Sequence, residues 1–187
     1  MMANRPLDLS PLTLFALLKT TLRVMLGRQP VVGSYDLSPA GLWQAVAASI
    51  LLAILASFYP GLTASAWLFV TSIIVQLIGV MLLLLMFNLV LQRLGCADRF
   101  LAFSIPFLWI ENLQQLIGGA VQNLMVLSGD PSMLVLILPV AIWSIYWLWR
   151  LGRDVIGKGG AVAAGFVMLS FLIDSGLLVL LQSRIGE

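Results

Sequence analysis

Five apolar stretches, each of about 20 residues or more, make up most of this sequence and limit what it can fold into. A helix of about 20 apolar residues crosses the hydrocarbon core of a bilayer. Of the 187 residues, 61% are hydrophobic and only 10% are charged, whereas about a quarter of a typical soluble domain is charged. A soluble chain of this size cannot bury so much apolar surface, so we predict an integral membrane protein. The predicted spans are residues 39–58, 66–91, 100–127, 131–149 and 160–182.

The spans are predicted to be helical because their polarity does not alternate. Membrane-spanning strands place polar and apolar side chains in turn, but the run from Met81 to Met86 contains only leucine between its two methionines. We therefore predict an all-α integral membrane protein with five transmembrane helices, preceded by an interfacial amphipathic helix. Residues 1–38 form the predicted cytoplasmic N-terminal segment, and residues 39–187 form the five-span membrane domain.

Helix starts are indicated by three prolines that follow a capping residue. The pairs Ser10-Pro11, Ser38-Pro39 and Asp130-Pro131 each place a hydrogen-bond acceptor before a proline. Ser and Asp are favoured N-cap residues, and proline is favoured at the first helical position. We therefore expect a helix to begin at each of these prolines.

The predicted interfacial helix covers about residues 11–28. We expect one face to be apolar, while Lys19 and Arg23 stand one turn apart on another face. Cationic amphipathic helices settle at the membrane surface, so this helix is either a simple anchor for the first span or a docking helix for a cytoplasmic partner. The predicted apolar face comprises Leu12, Phe15, Leu22, Met25 and Leu26.

Basic residues predict the orientation of the chain. Nine of the ten Lys and Arg residues fall on one side of the five predicted spans, and only Arg184 falls on the other. The positive-inside rule then places the N-terminus in the cytoplasm and the C-terminus outside. Cys96 lies in a loop on the cytoplasmic side, so we expect permeant thiol reagents to label it in intact cells. The nine residues are Arg5, Lys19, Arg23, Arg28, Arg93, Arg99, Arg150, Arg153 and Lys158.

Polar side chains concentrate in the third span. Glu111, Gln115 and Gln122 follow one helical stripe, together with Gly118. An acidic side chain at the bilayer centre costs about 2.5–3.5 kcal/mol on insertion scales, so this stripe is expected to face other helices or a water-filled cavity. Its predicted partners are Asn88 and Asp174, with Gln76 and Gln44 as further polar groups. The candidate intramembrane cluster is Glu111, Gln115, Gln122, Asn88 and Asp174.

Two interpretations of this cluster remain open. Intramembrane acids often mark proton or cation pathways, and no Lys or Arg lies deep enough in the spans to neutralise Glu111 or Asp174. Alternatively, the amides and acids are interhelical hydrogen-bond partners that hold the bundle together. The third span is long, so a kink or break is expected at Pro106 or at Gly118-Gly119, and Pro139 is expected to kink the fourth span.

Several enzyme classes are excluded by missing residues. The chain has no histidine and one cysteine, so it can form neither a histidine-dependent triad, nor a His/Cys metal cage, nor an internal disulfide. Asp174 is the only aspartate well inside a span, whereas an intramembrane aspartyl protease needs two. The segment Gly157-Lys158-Gly159-Gly160 lacks the spacing of a phosphate-binding loop. We predict no catalytic residue, no metal, no cofactor and no nucleic-acid partner.

The order of these features resembles the Yip (Ypt-interacting protein) domain family, specifically its short bacterial branch. The resemblance covers the five spans, the N-terminal helix and two local patterns. One pattern is Arg93-Leu94-Gly95-Cys96-Ala97-Asp98-Arg99-Phe100, followed by Pro106. The other is Ile142-Trp143-Ser144, leading to Arg150-Leu151-Gly152-Arg153-Asp154. For the bacterial branch, the resemblance implies an inner-membrane location and little about activity.

The sequence therefore favours a non-enzymatic inner-membrane protein that acts as a scaffold or assembly partner. Its expected partners are the lipid bilayer and other membrane proteins or further copies of the chain. The alternative is a small permease or a proton- or cation-coupled carrier that uses Glu111 and Asp174. An accessory, lipid-organising role is a third hypothesis.

Overall fold

The computed structural model describes residues 8–56 and 66–185, and every regular element in these ranges is helical. Five helices are long and apolar enough to cross a membrane, which confirms the predicted all-helical class and the number of candidate spans. The predicted end of the first span at residue 58 lies outside the described residues. The helices are α1 (Pro11–Met25), α2 (Pro39–Ala56), α3 (Ala66–Arg93), α4 (Phe100–Ser128), α5 (Ile137–Ile156) and α6 (Gly160–Ile185), with short 3-10 helices at Ala97–Arg99 and Pro131–Leu136.

The predicted helix starts are capped by the expected side chains. Ser10 Oγ accepts a hydrogen bond from the backbone N–H of Thr13 at 3.4 Å. Ser38 Oγ accepts from Gly41 at 3.2 Å, and Asp130 Oδ1 accepts from Ser132 at 2.9 Å. These bonds satisfy backbone donors that have no partner inside the helix. The Ser132 side chain and backbone also lower the pKa of Asp130 below its ordinary value.

Helix α1 packs one side against the bundle. Thr21, Val24 and Met25 are buried there. The hydroxyl of Tyr35, which lies between α1 and α2, donates to Thr21 Oγ1 at 3.2 Å. Thr21 in turn donates to the carbonyl of Leu17 at 2.9 Å. The end of α1 is therefore tied both to the bundle and to the connection that follows it.

The faces of α1 differ from those that the sequence predicted. Met25 was expected to share one apolar face with Leu12 and Phe15, but it is buried whereas they are exposed. Lys19 and Arg23 were expected on a separate face, but they are exposed on the same side as Leu12 and Phe15. At 100° per residue the four side chains fall within one half of the helix circumference. Packing against the bundle selects the opposite half, so the outward side mixes basic and apolar groups.

The densest packing lies at the end of the bundle where α2, α4 and α6 begin and where α3 and α5 finish. Four phenylalanines from α3, α4 and α6 pack there with ring centroids 4.8–5.4 Å apart, and each is almost fully buried. They are Phe87, Phe103, Phe107 and Phe166. We call this end the basic end, because Arg28, Arg93, Arg99, Arg150, Arg153 and Lys158 lie there.

Arg99 joins the two segments in which the sequence patterns occur. Its Nη1 donates to the carbonyls of Val155 and Ile156 at 3.0 and 2.6 Å. These carbonyls belong to the last turn of α5, where a cation compensates the negative end of the helix dipole. Gly152 also lets α6 approach closely, because a Cβ at this position would lie 3.0 Å from the Cβ of Ala163. Both patterns therefore serve packing in this structure.

The structure bears on three local expectations about prolines and the cysteine. Helix α4 is continuous through both Pro106 and Gly118-Gly119, so the expected break is wrong, while the expected kink stays a prediction. Pro139 does not interrupt a helix, because α5 begins only at Ile137 and the first turn needs no N–H from a proline. Cys96 is 4% exposed, so its thiol is a poor target for labelling reagents of either kind.

Candidate functional site

A cavity of about 500 Å³ lies between α3, α4, α5 and α6. Its lining is mixed, with small and aliphatic side chains on several walls and a concentration of polar groups on α4. This volume falls within the range of about 300–1,000 Å³ that is typical of small-molecule sites. The polar lining residues are Ser72 and Gln76 from α3, Glu111, Gln114, Gln115 and Gln122 from α4, and Asp174 from α6.

The two acids of the cavity lie far from either end of their helices. With a rise of 1.5 Å per residue, Glu111 is roughly 16 Å from the start of α4, and Asp174 is roughly 21 Å from the start of α6. Half of a bilayer core is roughly 15 Å. If the helices cross a membrane, both carboxyl groups are therefore near its middle or in the half away from the basic end.

Four of the five residues in the predicted cluster line this cavity. Glu111, Gln115, Gln122 and Asp174 are brought together as the helical stripe predicts, but Asn88 is not. Asn88 lies near the end of α3, where its Oδ1 accepts a hydrogen bond from Gln92 at 3.3 Å. The predicted stripe is thus a real surface of α4, and the polar residues that α3 contributes are Gln76 and Ser72 rather than Asn88.

The cavity also contains polar residues that the candidate cluster omitted. Gln76 was named only as a further partner, and Ser72 was not considered. Counting back from Arg93, Gln76 is roughly 25 Å and Asn88 roughly 8 Å from the basic end. Gln115 of the antiparallel helix α4 is roughly 22 Å from the same end. Gln76 and Gln115 therefore lie at similar depths in the bundle, whereas Asn88 lies much nearer the basic end. Counting depth from the sequence in this way favours Gln76 over Asn88 as a partner of Gln115.

The side of α4 that faces α2 carries a buried polar contact that the stripe did not include. Asn112 is 1% exposed, and its Nδ2 donates to the carbonyl of Ala45 at 3.0 Å. Ser49 Oγ lies 2.6 Å from Asn112 Oδ1 and donates to it. This amide joins α4 to α2 in the way that interhelical hydrogen bonds join membrane helices. Gln44, another predicted partner of the cluster, instead donates to the backbone carbonyl of Asp8.

The acids of the cavity lack comparable partners. Within residues 8–56 and 66–185, no hydrogen bond or ion pair connects Glu111 or Asp174 to another side chain. The lining includes no Lys or Arg. The ion pairs in the described part of the chain involve Asp154 at the basic end, with Arg150 and Arg153. Ionised carboxylates in the cavity would therefore give it a negative potential that attracts cations.

Two adjacent glycines of α4 line this cavity and differ in the space around them. A Cβ at Gly118 would meet no atom within 4 Å, because this position faces the cavity. A Cβ at Gly119 would lie only 2.5 Å from the Cβ of Ala56. The missing side chain of Gly119 thus lets α4 and α2 approach, whereas that of Gly118 leaves open volume.

Comparisons with known proteins add no identity to this geometry. No protein-family model, no curated protein and no solved structure matches the chain.

Proposed function

We propose that this protein is a small permease or carrier that binds a cation or proton in the cavity between α3, α4, α5 and α6. The observation that carries this proposal is that two acids and four amides line one cavity and, among the residues that the structure describes, pair neither with one another nor with a basic residue. Buried polar groups are normally paired, and polar groups inside a membrane are expensive to keep. A bound cation would supply the missing partner.

The contrast with Asn112 makes interhelical bonding a weaker explanation of Glu111. A side chain that joins helices should contact a group on its neighbour, and Asn112 does so at two atoms. Glu111 is adjacent in sequence but makes no such contact in the described residues, and it faces open volume instead. Carboxylate and amide oxygens are suitable ligands for Na⁺, K⁺ or an ammonium group.

In this proposal Glu111 is the principal binding residue. Its carboxylate would replace water around the cation, and oxygens of Gln115 and Gln76 would complete the coordination. Asp174, which is more exposed, would receive the cation first or hold the proton that Glu111 gives up. Exchange of one proton for one cation keeps the charge within the membrane constant, which avoids the cost of an uncompensated ion.

The proposal is tested by flux into liposomes containing the purified full-length protein. Proton movement would be followed with an internal pH-sensitive dye under gradients of Na⁺, K⁺ or methylammonium. We expect one of these cations to drive proton flux well above that of protein-free liposomes. Glu111→Gln should abolish it, because an amide cannot exchange a proton in this way. Rates equal to those of protein-free liposomes for all three cations would overturn the proposal.

A steric variant provides a second test with a matched control. Gly118→Leu fills the cavity from a position where a new side chain meets no neighbour within 4 Å. Gly165 lies on α6, also has no neighbour within that distance, and is outside the cavity lining. We expect Gly118→Leu to block flux and Gly165→Leu to preserve it. Equal flux through both folded variants would show that the cavity is not the pathway.

A scaffold or assembly role is the second candidate, and the outward side of α1 favours it. Leu12 and Phe15 are 83% and 67% exposed beside the basic residues Lys19 and Arg23. Such a surface fits the headgroup region or a membrane-bound partner. Purification in mild detergent should then recover a stoichiometric partner or an oligomer that is lost with Phe15→Asp and retained with Glu111→Gln.

We also propose that the protein belongs to the Yip family, lies in a bacterial inner membrane and has a cytoplasmic N-terminus. These three statements stay predictions. The orientation can be tested in a Cys96→Ser background with single cysteines at Lys158 and Ser132. Both positions are exposed, and they lie at opposite ends of α5 and its preceding 3-10 helix. An impermeant thiol reagent should label Ser132→Cys and spare Lys158→Cys in intact cells. The reverse pattern would invert the orientation.

A further inference from the structure

A second cavity, of about 410 Å³, opens at the basic end and is distinct from the proposed cation site. It lies between the connection that follows α1 and the last three turns of α5. The connection contributes a charged, an amide and several apolar side chains, and α5 contributes an aromatic ring and a salt-bridged pair. The lining residues are Gly27, Arg28, Gln29, Pro30, Val31, Val32, Trp147, Arg150, Asp154 and Val155.

Two guanidinium groups from separate parts of the chain line this cavity. Arg28 belongs to the connection, and Arg150 belongs to α5. Asp154 is the one acid in the lining, and it is shared, because its carboxylate lies 3.5 Å from Arg150 and 3.0 Å from Arg153. The lining itself carries two guanidinium groups and one carboxylate. The cavity therefore retains positive charge that a bound anion could neutralise.

Arg150 is held in position by its neighbours. Its Cζ lies 4.7 Å from the centroid of the Trp147 ring, and its Nε faces Asp154. A guanidinium oriented by an aromatic face and a carboxylate loses little side-chain freedom when it binds a ligand. Such a group still has N–H donors for an oxyanion, and Arg pairs with phosphate through two parallel hydrogen bonds.

The rest of the cavity suits an anion that carries a small polar and apolar body. Pro30, Val31 and Val32 provide apolar surface, and Val32 is 76% exposed. Gln29 Oε1 is buried and has no hydrogen-bond partner among the described residues. A hydroxyl next to a phosphate, as in a glycerol headgroup, would supply the donor that this oxygen lacks.

The position of the cavity agrees with this ligand. It adjoins the last turns of α5, where a helix that crosses a bilayer leaves the hydrocarbon core. Tryptophan and arginine are typical of this depth, and basic pockets between membrane helices bind anionic headgroups. We propose that the cavity formed by Arg28, Gln29 and Arg150 binds a phosphate group, carried either by an anionic glycerophospholipid or by a free phosphate compound.

Native mass spectrometry of the full-length protein separates these two sources. In one arm, phosphatidylglycerol or phosphatidylcholine is added to protein in mild detergent. In the other, inorganic phosphate or glycerol phosphate is added in the presence of phosphatidylcholine alone. Preferential binding of phosphatidylglycerol assigns the site to a lipid headgroup, and binding of the soluble phosphates assigns it to a free compound. Binding in neither arm overturns the proposal.

Charge-matched variants show whether the cavity itself is responsible. Arg28→Gln and Arg150→Gln should each weaken binding by about tenfold or more, because each removes charge-assisted hydrogen bonds. Arg93→Gln and Lys158→Gln remove the same charge from the same end of the bundle, outside the cavity lining, and should change binding by less than about twofold. Arg28→Lys should fall between these groups, since an ammonium cannot form the paired bonds.

Equal loss of binding in the cavity variants and in Arg93→Gln would overturn the proposal, because it would indicate general surface charge. Arg28 lies in the connection rather than in a helix, so Arg28→Gln tests the site even if Arg150→Gln disturbs α5. An unchanged affinity in folded Arg28→Gln would likewise contradict a phosphate site at this place.

Discussion

Glu111 and Asn112 are neighbours in the sequence, yet they have opposite roles in the structure. Asn112 faces α2, is almost fully buried, and contacts polar groups of Ala45 and Ser49. Glu111 faces the cavity, where no described side chain bonds to its carboxyl group. The step of 100° between adjacent helical residues separates the two environments. Polar residues inside this bundle therefore fall into two classes, those paired across a helix contact and those that line the cavity.

The two faces of α4 also differ in how their volume is used. On the side toward α2, Gly119 allows the backbones of α4 and α2 to approach. On the cavity face, Gly118 adjoins open volume. Dense packing stabilises a helical bundle, whereas a polar cavity does not, so the cavity face is where a function is expected to reside.

The largest expected effect comes from the two glycines. Gly119→Ala would place a Cβ 2.5 Å from the Cβ and 2.9 Å from the Cα of Ala56, so the helices must move apart. We expect a loss of about 1–3 kcal/mol in the free energy of unfolding, as for other overpacked sites. Gly118→Ala introduces no contact and should raise stability by up to about 1 kcal/mol through helix propensity.

Reversible unfolding in mixed micelles of mild detergent and dodecyl sulfate would measure both changes. The sign of the difference is the informative quantity, because the two substitutions add the same methyl group to adjacent positions. Equal destabilisation by both would mean that the cavity closes in the membrane and that the two faces are equally packed.

The second expected effect compares an amide from each face. Asn112→Leu removes two buried hydrogen bonds between α4 and α2, one from Ser49 Oγ and one to the carbonyl of Ala45, which should cost about 1–3 kcal/mol. Gln115→Leu removes an amide that lines the cavity and should leave stability nearly unchanged. The same unfolding assay applies. If Gln115→Leu proves as damaging as Asn112→Leu, the cavity face is held together by hydrogen bonds that this structure does not contain.

The sequence predicted the features that depend on local chemistry. Apolar length is sufficient to count five candidate spans, and the capping roles of Ser10, Ser38 and Asp130 follow from the residue and the proline after it. The cavity face of α4 was also predictable, because a period of 3.6 residues places Glu111 and Gln115 on one stripe. These inferences need only one segment of chain at a time.

Features that depend on how helices are placed against one another were not predictable in this way. Both Gln76 and Asn88 were predicted partners, but only Asn88 entered the candidate cluster, because the depth of each residue in antiparallel helices was not counted. Met25 was grouped with Leu12 and Phe15 because nothing in α1 itself shows which side meets the bundle. Asn112 lies outside the predicted stripe, and its role depends on Ala45 and Ser49 of another helix.

A smaller effect is expected where a paired polar group holds the basic end together. Burial raises the pKa of Tyr35 to about 12, while its hydrogen bond with Thr21 opposes that rise. The folded protein therefore favours the neutral phenol, whose ordinary pKa is about 10. Its contribution to stability is complete below pH 10 and should be lost as the pH rises from about 10 toward 12.

Tyr35→Phe provides the control for this pH dependence. It removes the hydroxyl that donates to Thr21, so we expect a loss of about 0.5–1.5 kcal/mol at neutral pH. Between about pH 10 and 12, the stability of the variant should decline less than that of the wild-type protein. An identical decline in wild type and variant would assign it to lysines or to the other tyrosines.

The smallest expected effect concerns an acid whose hydrogen bonds are complete, in contrast to Glu111. Asp130 is fully exposed, and its bonds with Ser132 lower its pKa below the ordinary value of 3.8. Because folding lowers this pKa, the ionised cap makes its full contribution to stability above pH 3.8. That contribution is lost as the pH falls through the lower pKa of the folded state. Asp130→Ala should increase hydrogen exchange at the Ser132 amide, which donates to Oδ1. Asp130→Asn should preserve protection, because an amide oxygen can also accept this bond. If neither variant changes exchange at Ser132, or if both change it equally, then Asp130 does not act as a cap. In that case, the position of a polar residue just before a helix start is not enough to class it as paired.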